Sequence, residues 1–203
     1  MIRDEQSLRA LLGDPSELVR AKISDRLNDL TRQFVDHSPF VLLATADSEG
    51  GCDVSPRGDP PGFVRVIDER TILIPERPGN RLADSLRNIL ANPRVGLLFM
   101  IPGIGDTLRV NGRAALVTDA ELLAPAAVDG KVPKLGILVE VDEVFTHCSK
   151  AFIRSALWDP EGFVERDTLP TAGEIHRSLN PSFDAERYDV ERAERYERRE
   201  GLY

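Results

Sequence analysis

Cysteine is almost absent: Cys52 and Cys148 are the only thiols in 203 residues, so at most one disulfide could form. No CxxC or Cys/His spacing suits a structural metal, and none is expected. Long hydrophobic runs are missing too. The longest, FVLLATA from Phe40 and VGLLFMI from Val95, fall far short of the roughly 20 apolar residues a membrane-spanning helix needs. No membrane partner is expected. Positive charge is in deficit, with 26 Lys and Arg against 34 Asp and Glu and a net charge of −8, so a nucleic-acid backbone would be repelled. The first residues, MIRDEQSLRALLGDPSE, are charged where a secretory signal needs an apolar stretch, which makes a cytoplasmic setting the expectation. The chain also lacks a GxSxG elbow and a GxGxxG strand-to-helix turn, which argues against a serine hydrolase and a Rossmann dinucleotide site.

What is present is the composition of a folded protein, 41% hydrophobic and 30% charged, with length for one domain and terminal additions. Apolar residues recur at spacings of three and four from Leu8 to Phe34 and predict helices over 4–12 and 15–36, separated by Asp14-Pro15. Ser38-Pro39 ends the second. The texture then changes to six strand-sized runs: FVLLATA, GFVRVI, TILIP, VGLLFMI, TLRVNGRAALV and GILVEVDEVFT. Six strands with one intervening helix, carried by Leu82, Leu86, Ile89 and Leu90, predict a mainly β antiparallel barrel with flanking helices. The expected division is a helical extension over 1–37, a barrel domain over 38–160 and a polar extension over 161–203. The stretch DAERYDVERAERYERREGLY reads as a charged terminal helix or a partly disordered tail.

Three clusters carry chemistry. In IPERPGNRLADSLRNIL a strand, a Pro/Gly turn, Asn80 and Arg81 precede the middle helix. Asn is a favoured N-cap, and a phosphate there would meet free amides, the helix dipole and a guanidinium together. Taken alone, Arg81 is either that anion ligand or a solvated first-turn residue. In VSPRGDPPGFVRV the neighbouring prolines stiffen the backbone around Arg57, which either grips a ligand or forms a turn pair with Asp59. In FTHCSKAFIRSALWDP, His147, Ser149, Lys150, Arg154 and Trp158 gather basic, hydroxyl and aromatic groups suited to a phosphorylated aromatic ligand.

These stretches, with SPFVLLATADSEGGCDVSPRGDPPGFVRV before them and ANPRVGLLFMIPGIGDTLRVNGRA between, resemble the pyridoxamine 5'-phosphate oxidase-like proteins over about residues 38–160. The resemblance implies a six-stranded Greek-key split β-barrel that binds FMN non-covalently at the interface of a homodimer. It places Ile74, Pro75 and Glu76 along the ribityl chain or ring edge, and Asn80 and Arg81 at the phosphate. It adds Arg57 as a further basic contact, Thr107 at the flavin, and Ser149 with Lys150 near the phosphate or ring. Two departures stand out. Asn80 occupies the first of the oxidase's consecutive basic positions, and the oxidase's C-terminal motif with tryptophan and arginine is missing, so pyridoxamine phosphate oxidation itself is not expected.

The function implied is an FMN-dependent oxidoreductase acting on a small molecule or a reduced nicotinamide. The alternatives are a non-catalytic flavin-binding or sensing module, or a split barrel holding a deazaflavin or haem, with His147 the one candidate axial ligand. A lone split barrel would leave strand edges and apolar faces such as that of VGLLFMI exposed. Light scattering at micromolar concentration should therefore report a particle of twice the chain mass, and a strictly monomeric particle would remove both the dimer and the shared site.

Overall fold

The computed structural model describes residues 1–203. Three short helices open the chain, α1 (Glu5–Leu12), α2 (Glu17–Ala21) and α3 (Asp29–His37). Asp4 starts the first by accepting from the Ser7 amide at 2.8 Å, and Gly13, at φ +74°, ends it. The single helix expected over 15–36 is broken in two. Ser24 exchanges backbone hydrogen bonds with Val144, and the Leu27 amide donates to the Glu69 carbonyl at 2.7 Å, so tertiary pairing overrides local helical periodicity between α2 and α3. Asn28 then restarts the helix in a capping box with Thr31.

The body is one antiparallel sheet of seven strands: β1 (Phe40–Ala46), β2 (Cys52–Gly58), β3 (Arg65–Asp68), β4 (Thr71–Pro75), β5 (Arg94–Met100), β6 (Thr107–Val117) and β7 (Gly136–His147). Helix α4 (Asp84–Ala91) joins β4 to β5, and α5 (Ala120–Leu123) lies between β6 and β7. Spatial order is β2-β1-β5-β6-β7-β4-β3. The strands β5, β6 and β7 form a meander and β4 returns beside β7, which is the Greek-key connection. The expected mainly β split barrel is present, with one more strand than the six predicted and with its ladder left open between β2 and β3.

The additional strand is β2. Its side chains alternate half-buried and exposed, none fully buried, and it contains Pro56. An edge strand tolerates proline and needs no apolar run, so its sequence looks like a turn. The inner strands show the opposite pattern. Val41 and Leu43, Leu97 and Phe99, Leu108 and Val110, and Ile137 and Val139 are all buried, alternating with residues on the outer face. Helices α3 and α4 add Val35 and Ile89 to the same core.

Beyond β7, α6 (Lys150–Ser155) is followed by a packed pair, α7 (Ala172–Leu179) and α8 (Ala185–Glu197). Asp189 of α8 accepts from the Gly173 amide at 2.9 Å, and the His176 ring meets Phe183 and Tyr188, each at 5.2 Å. The polar tail is thus a helix docked on its neighbour.

Gly112 sits at a register shift in the β6–β7 ladder, where an added Cβ would lie 2.1 Å from the Glu140 carbonyl oxygen. The clashing atom belongs to the Glu140 backbone, so no flexible side chain can swing away to relieve it. Gly112→Ala should cost about 1–3 kcal/mol in urea unfolding, as overpacking does. Gly96→Ala, whose Cβ would meet nothing nearer than 3.5 Å, should leave the midpoint nearly unchanged.

Candidate functional site

Where β4 ends, the chain runs through Glu76, Arg77, Pro78 and Gly79 to α4, facing Ser55 and Arg57 on β2. The gap between these walls is a cleft of about 520 Å³. Its polar lining is Ser55, Arg57, Glu76, Arg77, Asn80, Arg81, Asp84 and Ser85, with Phe63, Pro75 and Leu86 among the apolar groups. Five residues expected at a site from the sequence, Arg57, Pro75, Glu76, Asn80 and Arg81, therefore share one concavity.

Charge crosses the open seam of the sheet inside this cleft. Arg57 of β2 pairs with Glu76, which leaves β4, and their side chains are only 16% and 21% exposed. The turn pair of Arg57 with Asp59 suggested by the sequence does not form. Asp59 lies beyond the last residue of β2 and instead accepts from Arg77 Nε at 2.6 Å. Arg77 also donates to the Ala126 carbonyl at 2.8 Å, and Tyr203 donates to the other Asp59 oxygen at 2.6 Å. That hydrogen bond holds the Tyr203 phenol above its ordinary pKa range. Arg57 Nε is buried with no partner.

A polar network continues from Arg57 beneath α4. Arg57 Nη2 donates to Ser55 Oγ at 3.4 Å, and Ser55 and Ser85 share a 3.0 Å hydroxyl contact. Asp53 accepts from Thr45 and Asn88, both at 2.7 Å. The helix start differs from expectation: α4 begins at Asp84, and its N-cap is Ala83, with no side-chain cap. Asn80 is not the cap; its Oδ1 accepts from the Leu82 amide at 2.9 Å within the preceding turn. Arg81 and Ala83 both adopt left-handed backbone, at φ 64° and 58°, an uncommon state for residues with a Cβ. The first amides of α4 therefore remain unclaimed by any cap, as an anion-binding helix start requires.

The other expected residues lie elsewhere. Ile74 points into the core with no exposed surface, so its side chain is unavailable to a ligand; the alternation of β4 decides this. Thr107 is buried opposite His147 at the far end of the β6–β7 ladder, and Ser149 packs by Gly105 at the start of α6, with Lys150 following. None of the three lines the cleft. Burial, with Arg109 and Lys22 nearby, holds His147 below the ordinary imidazole range, so it is neutral at pH 7. Trp158 donates to the Ile104 carbonyl at 3.0 Å and stacks on Phe152. Sequence reasoning missed Arg77, Ser55 and Ser85 as cleft residues. Only the density of polar groups in IPERPGN and VSPRG hinted at Arg77 and Ser55, and nothing singled out Ser85.

Asp59 is 3% exposed and Arg77 17%, so removing one partner strands a desolvated charge. Asp59→Ala should cost about 3 kcal/mol in urea unfolding. Arg26→Ala, which removes two exposed surface pairs, with Asp25 and Glu69, should leave the midpoint nearly where it was.

A family model described as pyridoxamine 5'-phosphate oxidase matches residues 27–148, which is more than half of the chain. No curated protein matches. Among solved structures, HupZ of Group A Streptococcus is 18% identical, with a TM-score of 0.48 over 59% of this chain and 93% of its own. An FMN-binding protein of Syntrophomonas wolfei is 15% identical, with a TM-score of 0.43 over 70% of this chain and 96% of its own. HutZ, the haem storage protein of Vibrio cholerae, is 17% identical, with a TM-score of 0.40 over 59% and 94%. The extent of the family match, over the strands, the cleft and α4, settles the assignment: the chain belongs to the pyridoxamine 5'-phosphate oxidase family.

Proposed function

We propose that this protein binds FMN in the cleft between β2 and α4 and acts as an FMN-dependent oxidoreductase on a small molecule, with a reduced nicotinamide as electron source. The observation that carries this reading is the convergence of Arg57, Arg77 and Arg81 on one concavity whose floor is an uncapped helix start. Its volume is in the range of small-molecule sites. Of the three guanidinium groups there, Arg57 is paired with Glu76 and Arg77 with Asp59, which leaves Arg81 as the one without an ion-pair partner. The buried, partnerless Nε of Arg57 is a donor in want of an acceptor. The residues present thus fit a monoanionic or dianionic phosphate ester.

Arg81 and the first amides of α4 would hold the phosphate, and Pro75 and Glu76 would run beside the ribityl chain. FMN, when bound, supplies the redox chemistry, and the protein supplies position, hydrogen bonds and exclusion of water. The cleft of one chain is open on one side. In a two-fold dimer a second copy would bring Thr107, Ser149 and Lys150 to it, which accounts for their distance from it here. No helix is long and apolar enough to cross a membrane. A cytoplasmic setting, where reduced nicotinamides are available, suits this reading.

Loss of the Arg81 guanidinium removes charge-assisted hydrogen bonds of about 1.5–3 kcal/mol, so Arg81→Ala should bind FMN about 10- to 100-fold more weakly. Arg87, 75% exposed on α4 itself, is the charge control. Fluorescence-quenching titration of both variants, with circular dichroism to confirm folding, decides the matter. Equal weakening would mean a general field effect, and unchanged binding in Arg81→Ala would take Arg81 out of the site. The absorbance of the purified protein separates flavin from deazaflavin or haem, and turnover with NADPH separates an enzyme from a flavin-sensing module.

A further inference from the structure

We propose that the segment beyond α6 is a strap that fixes one wall of the cleft, and that Tyr203, acting through Asp59, is a positioning residue for Arg77. The strap lies outside the family match, which ends at residue 148. Helices α7 and α8 pack on each other, and no hydrogen bond or ion pair joins residues 159–202 to the barrel. It is fastened at its two ends instead. Trp158 holds the near end by donating to the Ile104 carbonyl at 3.0 Å. Tyr203 holds the far end, and its grip falls on a residue of the cleft wall.

Three contacts make the far clasp. The Tyr203 hydroxyl donates to Asp59 Oδ1 at 2.6 Å, the ring lies 5.3 Å from the Arg77 guanidinium, and the carbonyl accepts from Lys131 Nζ at 3.2 Å. Asp59 is the hub of this arrangement. Its Oδ2 accepts from Arg77 Nε at 2.6 Å, so one carboxylate oxygen serves the strap and the other serves the wall. The Asp59 side chain is only 3% exposed, and water is poorly placed to replace a lost donor. Without the phenol, Oδ1 is left unpaired, and the carboxylate turns to find a donor and draws Arg77 with it.

Arg77 is restrained on three sides. Asp59 takes Nε, the Ala126 carbonyl takes Nη2 at 2.8 Å, and the Tyr203 ring faces the guanidinium. Only Nη1 has no protein partner, and Arg77 lines the cleft. Asp59 neutralises the charge of Arg77, so what Arg77 offers is direction: one donor edge, held in place before a ligand arrives. A donor restrained in this way loses little entropy on binding. Which ligand that edge meets rests on the flavin reading; the fastening itself does not.

The test compares the full chain with Tyr203→Phe, which keeps the ring and loses the hydroxyl, after circular dichroism confirms that both are folded. In the flavin-free protein, the Arg77 Nε–H signal in the NMR spectrum, assigned through Arg77→Lys, reports the hold on the guanidinium. Its exchange with water should be about 10-fold faster in Tyr203→Phe, as expected for the loss of one hydrogen bond to a charged group. FMN titrated by fluorescence quenching should bind Tyr203→Phe about 3- to 10-fold more weakly than the wild type. In an Arg77→Lys background the same Tyr203→Phe change should cost no further FMN affinity, because the group that Tyr203 positions is already gone. A strap that only stabilises the fold would lower the urea midpoint, leave the Arg77 signal as it was and cost the same FMN affinity in either background. Unchanged exchange at Arg77 in Tyr203→Phe, or additive losses of FMN affinity in the double variant, overturns the proposal. If the wild type takes up no FMN, the flavin reading fails alone, because the exchange measurement needs no ligand and still decides whether Tyr203 holds Arg77.

Discussion

The cleft depends on charge pairs that cross a seam no ladder closes. Hydrogen bonding between strands stops at β2 on one side and β3 on the other, yet the sheet curls until β2 meets the segment leaving β4. Arg57–Glu76 and Arg77–Asp59 span that gap. A continuous ladder would have filled the space with backbone, whereas side-chain pairs hold the walls together and leave room between them. Arginine suits this use, because a planar guanidinium offers donors on two edges and stays charged when partly buried. Arg57, Glu76 and Arg77, which fasten the barrel, therefore also line the cleft.

The buried network beneath α4 extends that economy inward. Asp53 accepts from Thr45 and Asn88, and Ser85 links it to Ser55 and so to Arg57. Each donor of the network also fixes an element: Thr45 belongs to β1, Asn88 to α4, Ser55 to β2. The helix that offers its amides to the cleft is thereby oriented from below by hydrogen bonds, while Ile89 anchors it to the core. Hydrogen bonds of this kind between elements fix their relative geometry.

Much of the fold was legible because most strands announce themselves. The strands β1, β4, β5, β6 and β7 each combine β-branched or aromatic residues with burial on at least one face. Strand β2 escaped because an edge strand with proline and alternating polar residues has the composition of a turn. The break between α2 and α3 escaped for a different reason: the pairing of Ser24 with Val144 spans the whole barrel, and no local window contains it. At the site, the cluster around Asn80 and Arg81 was legible as a polar turn, and both residues line the cleft. Its helix start was displaced by three residues because Asn80 serves the turn and not the helix. The partner of Arg57 was illegible, since Glu76 lies across a seam that only the curvature of the sheet brings together. Thr107, Ser149 and Lys150 were placed by resemblance alone, and none of them lines the cleft.

The Greek-key return of β4 to β7 bears on the order in which the molecule assembles. Within its own neighbourhood β4 has only the short hairpin with β3; its longer ladder runs from Thr71–Glu140 to Pro75–Gly136. Closing such long loops is entropically costly and slow relative to local pairing. One wall of the cleft therefore cannot be set until β7 has emerged and paired, by which time every other strand is in place. Capture of any ligand in the cleft would consequently follow that pairing. The β5–β6–β7 meander, by contrast, pairs strands that are neighbours in sequence and needs no such long closure.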